Sequence, residues 1–218
     1  MTNYILNLTS IPPLSKNKPR QAIVLFHGYG GSGQDISTLA INWQRFLPDA
    51  IFLCPNAPEV CAVNPQGYQW FDLSSEKEEV ILEKSLIAEE KLNTFLDQVF
   101  DNLQLESSNL ALVGFSQGCM MCIQAGLKKK EQINCLIGYS GKIINQKHLL
   151  DNINSKPKIF LMHGANDTIV PPTHLLEAKE YLNKYGLKIK TKLFKNCDHR
   201  IPVEGSSLGL GFLRKNLL

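Results

Sequence analysis

The sequence predicts an α/β fold with a mostly parallel central sheet and helices on both faces. Short β-branched apolar runs alternate along the chain with segments of helical apolar spacing. These runs are apolar at nearly every position, as strands covered on both faces are. Two of them end in glycine-containing turns that lead straight into a helical pattern. With no internal repeat and no linker, residues 1–218 read as one domain.

In chain order, Tyr4 to Leu8 is expected as an extra edge strand and Gln21 to Phe26 as a buried central strand, which stops at His27-Gly28-Tyr29-Gly30-Gly31-Ser32-Gly33. Asp35 to Leu47 places Ile36, Leu39, Ala40, Trp43 and Leu47 on one helical face, and Pro48 ends it. Ala50 to Cys54 is the next strand. Pro55 to Ser75, rich in Pro and Gly and carrying Tyr68, Trp70 and Phe71, reads as a long loop, a length usually reserved for function such as a pocket wall. Glu76 to Phe100 is a long amphipathic helix. Leu110 to Val113 is a strand, followed by Gly114 to Gly118 and a helix through about Lys129. Ile133 to Tyr139 and Lys158 to Met162 repeat the strand pattern. Helix Thr173 to Tyr185, strand Lys188 to Phe194, a loop holding His199 and a helix over Glu204 to Leu217 complete the chain.

Composition narrows the function classes. A chain 44% hydrophobic and 20% charged buries enough surface to offset its ordering entropy, which excludes disorder. A net charge of +3, dispersed rather than striped, speaks against nucleic acid as a partner. The run Lys128 to Lys130 follows an apolar helix and reads as cations at the negative end of its dipole. No window reaches the ~20 apolar residues of a membrane span, so no integral membrane association is expected and the cytoplasm is the expected location. The six cysteines, too sparse for a secreted framework, read as reduced thiols. Cys119 and Cys122 form a CxxC inside an apolar helical run rather than at a helix start, so they read as core residues. Cys119 and Cys197 stand close enough to the motifs below for thiol reagents to inhibit without either being catalytic.

The chemistry concentrates at Gly114-Phe115-Ser116-Gln117-Gly118, a G-x-S-x-G with an apolar strand before it and a helix after it. The glycines let the backbone turn sharply and lift the Ser116 hydroxyl above the sheet edge. A serine needs a base, and the base a carboxylate to orient it. In the chain order Ser, acid, His, the base is His199 and the acid is Asp167, in a loop leaving a strand's C-terminal end. His163 is a rival base, but it precedes that acid. His27 is expected to brace the glycine loop, and His148 and His174 to lie on the surface. Asp198 is too near His199 in sequence to aim at its ring, and Asp72 precedes the serine. For the oxyanion the expected donors are the backbone N–H groups of Gln117 and Tyr29. Gly138 to Gly141 reads as a turn beside the site. The glycine loop lacks the Lys of a phosphate loop and the strand-end acid of a dinucleotide fingerprint. His163, Asp167, His174, Cys197 and His199 show no closed metal-ligand spacing, so neither metal nor cofactor is called for.

Taken together, HGYGGSG, YQWFDL (68–73), GFSQG, HGANDTIVP (163–171) and DHRIPVEG (198–205) resemble the phospholipase/carboxylesterase family of α/β hydrolases, which includes acyl-protein thioesterases and small bacterial carboxylesterases. The resemblance implies the α/β-hydrolase fold and the same roles for Ser116, Asp167, His199, Tyr29 and Gln117. It further implies that Trp70, Leu73, Ile169 and Val170 line an acyl pocket. Two positions depart from the family's pattern. Asp198 stands where a Gly usually precedes the catalytic His, and Gly31 stands where an Asp commonly follows HGxG. The expected activity is hydrolysis of carboxylic esters or thioesters of short to medium acyl chains through an acyl-serine. Acylated proteins and lysophospholipids are alternative substrates, a non-catalytic binding protein of the same fold is the alternative of another class, and the chain is expected as a monomer or homodimer.

Overall fold

The computed structural model describes residues 4–218. The elements run β1 (Leu8–Ile11), β2 (Gln21–Phe26), α1 (Gly33–Trp43), β3 (Ala50–Pro55), β4 (Glu59–Cys61), β5 (Asn64–Gln69), α2 (Glu78–Leu103) and β6 (Leu110–Phe115). They continue with α3 (Gln117–Lys128), β7 (Cys135–Tyr139), α4 (Gln146–Asp151), β8 (Lys158–Gly164), α5 (Thr173–Lys184), β9 (Ile189–Phe194) and α6 (Val203–Leu217). One seven-stranded sheet has the order β1-β3-β2-β6-β7-β8-β9. β1 runs antiparallel to β3, and every other pairing in this sheet is parallel.

The unbroken apolar runs are explained by what covers them. In β2, Val24 and Phe26 face a cluster with Leu92, Phe95, Met121 and Leu182 from α2, α3 and α5. Ile23 and Leu25 face a second cluster with Leu39, Trp43 and Leu213 from α1 and α6. Each buried side chain of this size contributes roughly 1.5–3 kcal/mol relative to exposure. The buried Glu89 has partners: Gln124 Nε2 donates to it at 2.7 Å and Lys128 Nζ at 2.8 Å, pinning α2 to α3. Lys129 pairs with Asp97 at 2.9 Å, so two members of the Lys128–Lys130 run are ion-paired.

From β2 the chain passes to β3 on one side and later returns as β6 on the other. The direction of sheet growth therefore reverses between β2 and β6, and at such a point the loops leaving the two strands part and open a crevice. Those loops are the glycine loop after Phe26 and the turn at Ser116.

Three elements differ from the sequence expectation. The segment 55–75 is not wholly irregular: β4 and β5 form an antiparallel hairpin, with a register shift between Val60 and Cys61. Pro65 and Gly67 hid it, since both depress strand propensity, and β5 gains its order from pairing rather than from its own sequence. The edge strand is Leu8–Ile11, not Tyr4 to Leu8, because backbone pairing to Phe52–Pro55 sets it. The six-residue α4 has too little length for apolar periodicity, and its signal is the cap Asn145, whose side chain accepts from His148 N.

The elbow glycines are demanded by close approach. A Cβ on Gly118 would overlap the Phe26 and His27 carbonyl oxygens, and one on Gly114 would overlap Gly118 O. Gly118→Ala is expected to destabilise the fold by about 1–3 kcal/mol. Gly211→Ala in α6, where a Cβ meets nothing within 4 Å, is expected to be neutral or to stabilise by up to ~1 kcal/mol through helix propensity. Urea unfolding midpoints read both.

Candidate active site

Ser116 stands between β6 and α3 with φ 55° and ψ −119°, a conformation that costs an L-residue of order 1–3 kcal/mol and is held only where the surroundings enforce it. They do so here. Ser116 N donates to Tyr139 O on the neighbouring strand at 2.8 Å, and Ser116 O accepts from Met120 N at 3.2 Å. The hydroxyl lies 2.9 Å from His199 Nε2, and His199 Nδ1 lies 2.7 Å from Asp167 Oδ2. Phe115 packs on the imidazole, ring centroids 4.9 Å apart.

Asp167 is buried and fully engaged. Its Oδ1 accepts from Ile169 N at 3.0 Å and Val170 N at 2.9 Å. Its Oδ2 accepts from His199 and lies 3.2 Å from His163 Nε2. Burial alone would raise its pKa, but the His199 hydrogen bond and the two backbone N–H groups outweigh it, so the group is held below its ordinary value as a carboxylate. His163 Nε2 also lies 2.8 Å from Val170 O, which only accepts, so this nitrogen carries the proton. The rival base thus faces away from Ser116 and buttresses the acid. The two loops meet through Ala165 N to Phe194 O and Asn166 N to Cys197 O. A Cβ on Gly164 would overlap the Cys197 and Asp198 carbonyls, so the glycine of His163-Gly164 is what allows Asp167 and His199 to approach.

The glycine loop is braced as expected of His27. Its Nδ1 donates to Gly28 O at 2.7 Å, its Nε2 accepts from Ala57 N at 3.0 Å, and burial pushes its pKa down. Tyr29 and Gln117 line one cavity with Ser116. Neither backbone N–H has an acceptor among the described residues. Where Asp is missing at position 31, β5 supplies the anchor: Gly30 N donates to Tyr68 O at 2.9 Å and Tyr68 N to Gly31 O at 2.8 Å. The carboxylate of Asp198 turns out to solvent and pairs with Arg200 Nε at 2.8 Å, away from the imidazole it adjoins.

The cavity beside Ser116 has a volume of about 640 Å³. Leu73, Ile169 and Val170 line it together with Phe71, Ile81, Met120 and Ile143. Trp70 does not line it. It is fully buried, its indole Nε1 donates to His27 O at 3.0 Å and it packs edge-on against Phe26, so it supports the glycine loop from beneath. What sequence reasoning missed is the Gln117 side chain, whose Oε1 accepts from Trp70 N at 2.9 Å and whose Nε2 donates to Phe71 O at 2.6 Å. It clamps the aromatic segment to the elbow. Asp72 ties the same segment to α2 through Lys84 at 2.6 Å, and with Ser74 this holds its carboxyl at about 2. All six cysteines are free and buried, and burial pushes the Cys119 thiol up to about 12. Burial thus disfavours the reactive thiolate at Cys119 beneath the elbow.

A serine coupled to a histidine and a carboxylate at the strand ends of a mostly parallel sheet defines a hydrolase of the α/β type. The chain belongs to the phospholipase/carboxylesterase family, whose model matches residues 13–217. It is 34% identical to esterase PE8, whose crystal structure superposes with a TM-score of 0.93 over 97% of this chain and 99% of that one. It is 26% identical to acyl-protein thioesterase 1 of Emericella nidulans, covering 89% of both chains. It is 24% identical to esterase YpfH of Escherichia coli K12, covering 92% of this chain and 85% of that one. The protein is an enzyme that hydrolyses esters or thioesters. No helix among the described residues is long and apolar enough to cross a membrane.

The site sets an acid limit on the fold. His27 and His163 are both held below their ordinary value, chiefly by burial, so the fold favours their neutral forms. That stabilisation is present above the unfolded histidine value of about 6.5 and is lost as pH falls through the lower folded values. Asp167 adds a loss at lower pH, below about 3.9. Unfolding free energy from urea titrations is expected to fall between pH 7 and pH 5, and His27→Gln to flatten that slope while lowering stability at pH 7.

Proposed function

We propose that the chain is a serine esterase and thioesterase that cleaves short to medium acyl chains through an acyl-Ser116 intermediate. The observation that carries this reading is the unbroken line from Ser116 Oγ through His199 to Asp167, at 2.9 and 2.7 Å. His199 takes the serine proton as Oγ attacks the carbonyl, and the Asp167 carboxylate stabilises the imidazolium. The tetrahedral oxyanion is received by the Tyr29 and Gln117 N–H groups. His199 then gives its proton to the departing oxygen or sulfur, and water repeats the sequence to release the acid.

The direction of proton delivery assigns the two halves of the substrate. The leaving atom must face His199, where a second cavity of about 460 Å³ is lined by Gly28, Tyr29, Ile36, Phe115, His199 and Ile201. The acyl half then takes the cavity lined by Met120, Ile143, Ile169 and Val170. Acylated proteins and lysophospholipids offer the same carbonyl, and relatives named acyl-protein thioesterases support including the former among candidate substrates. Its six free, buried thiols suit a reducing compartment, and we place the enzyme in the cytoplasm.

A fluorophosphonate probe is expected to label the unaltered protein at Ser116 and not Ser116→Ala. Absence of an adduct on folded protein would remove Ser116 from the role of nucleophile. Asp167→Asn and His199→Ala are each expected to lower kcat by about 10³-fold or more on p-nitrophenyl esters. Rates near those of the unaltered enzyme would remove that residue from the mechanism.

A further inference from the structure

The walls of the cavity beside Ser116 are tied to one another. They come from the start of α2, from the segment between β7 and α4, and from the start of α5. Two of these walls are tied to each other by side chains that reach solvent. Asn145 Nδ2 donates to Glu78 Oε1 at 2.8 Å, and both residues line the cavity that holds Ser116. The Asn145 side chain is held at its other end too, since its Oδ1 accepts from His148 N at 2.7 Å to cap α4. The next residue is tied to the far end of α5, because Gln146 O accepts from the Tyr181 hydroxyl. Ile144, buried in the core cluster, roots the segment from below.

We infer that the Glu78–Asn145 clasp sets the maximum acyl-chain length this enzyme accepts. An alkyl chain cannot pass between two atoms in hydrogen-bond contact. A chain that presses on them strips water from a carboxylate and an amide without replacing their partners, which is costly. The cavity that holds Ser116 offers an acyl chain the apolar side chains of Phe71, Ile81, Met120, Ile143 and Val170. Each methylene added within that space gains about fourfold in kcat/KM, and the gain ends at the clasp. Glu78 and Asn145 thereby act as specificity-determining residues for the reaction, whose chemistry remains that of Ser116. This inference rests on the esterase reading above.

The test is a series of p-nitrophenyl esters of increasing acyl length, compared as kcat/KM ratios within each variant. Fluorophosphonate titration normalises each preparation to its active fraction. Glu78→Ala removes the acceptor, and Asn145→Ser keeps a capping oxygen for α4 but is too short to reach Glu78. Both are expected to move the break to chains at least two carbons longer. Glu78→Gln, which retains an Oε1 acceptor, is expected to keep the break where it is, and the double variant to move it no further than either single one. A break unmoved in both single variants, or no break in the unaltered enzyme, would overturn the clasp while leaving the esterase reading intact. Failure of the unaltered enzyme to cleave any member of the series would remove the esterase reading and the clasp with it.

Discussion

The site depends first on a backbone constraint, the left-handed turn at Ser116. A serine with φ 55° between a strand and a helix projects its hydroxyl off the sheet edge, and that conformation opposes its own local preference. It persists because the chain on either side is packed too closely to relax. Gly118 lies against the carbonyls ending β2, Gly114 lies against Gly118, and Tyr139 O takes the Ser116 amide from the neighbouring strand. The strain is therefore borne by three central strands whose side chains are nearly all buried. A less rigid scaffold would release it and turn the hydroxyl away.

The second condition is electrostatic. A buried carboxylate is costly unless its lone pairs are occupied, and Asp167 is supplied by His199, His163, Ile169 N and Val170 N. The same donors that keep it ionised fix its orientation, and that orientation fixes which imidazole nitrogen of His199 is left to meet Ser116. His163 therefore contributes to the geometry without reaching the serine. The Gln117 side chain plays a comparable part on the other side of Ser116, where it holds Trp70 and Phe71 against the elbow through their backbone.

Both departures from the family's pattern are absorbed locally. Asp198 is exposed and its charge is met by Arg200 two residues on, so a carboxylate beside His199 need not disturb it. Gly31 offers no side chain, and the glycine loop is anchored instead by main-chain pairing to Tyr68. That pairing makes the β4–β5 hairpin part of the active-site framework. It also explains why a segment so poor in strand formers is ordered at all.

The sequence by itself determined the sheet and its covering helices, and it singled out Ser116, Asp167 and His199, whose side chains the fold brings into hydrogen-bond contact. Apolar runs reveal strands buried on both faces, and a strand–glycine–helix junction is a local signal that needs no distant partner. Tertiary structure decided the rest, because the rest is contact between segments far apart in the chain. The hairpin over 59–69 is ordered by pairing, an aromatic residue such as Trp70 reads the same beneath a wall as upon it, and α4 is too short to show a period. The Gln117 clamp, the His163 buttress and the Glu78–Asn145 clasp each depend on a direction in which a side chain points. No spacing along the chain encodes such a direction, since it is set only when the packed core leaves that side chain a single place to go.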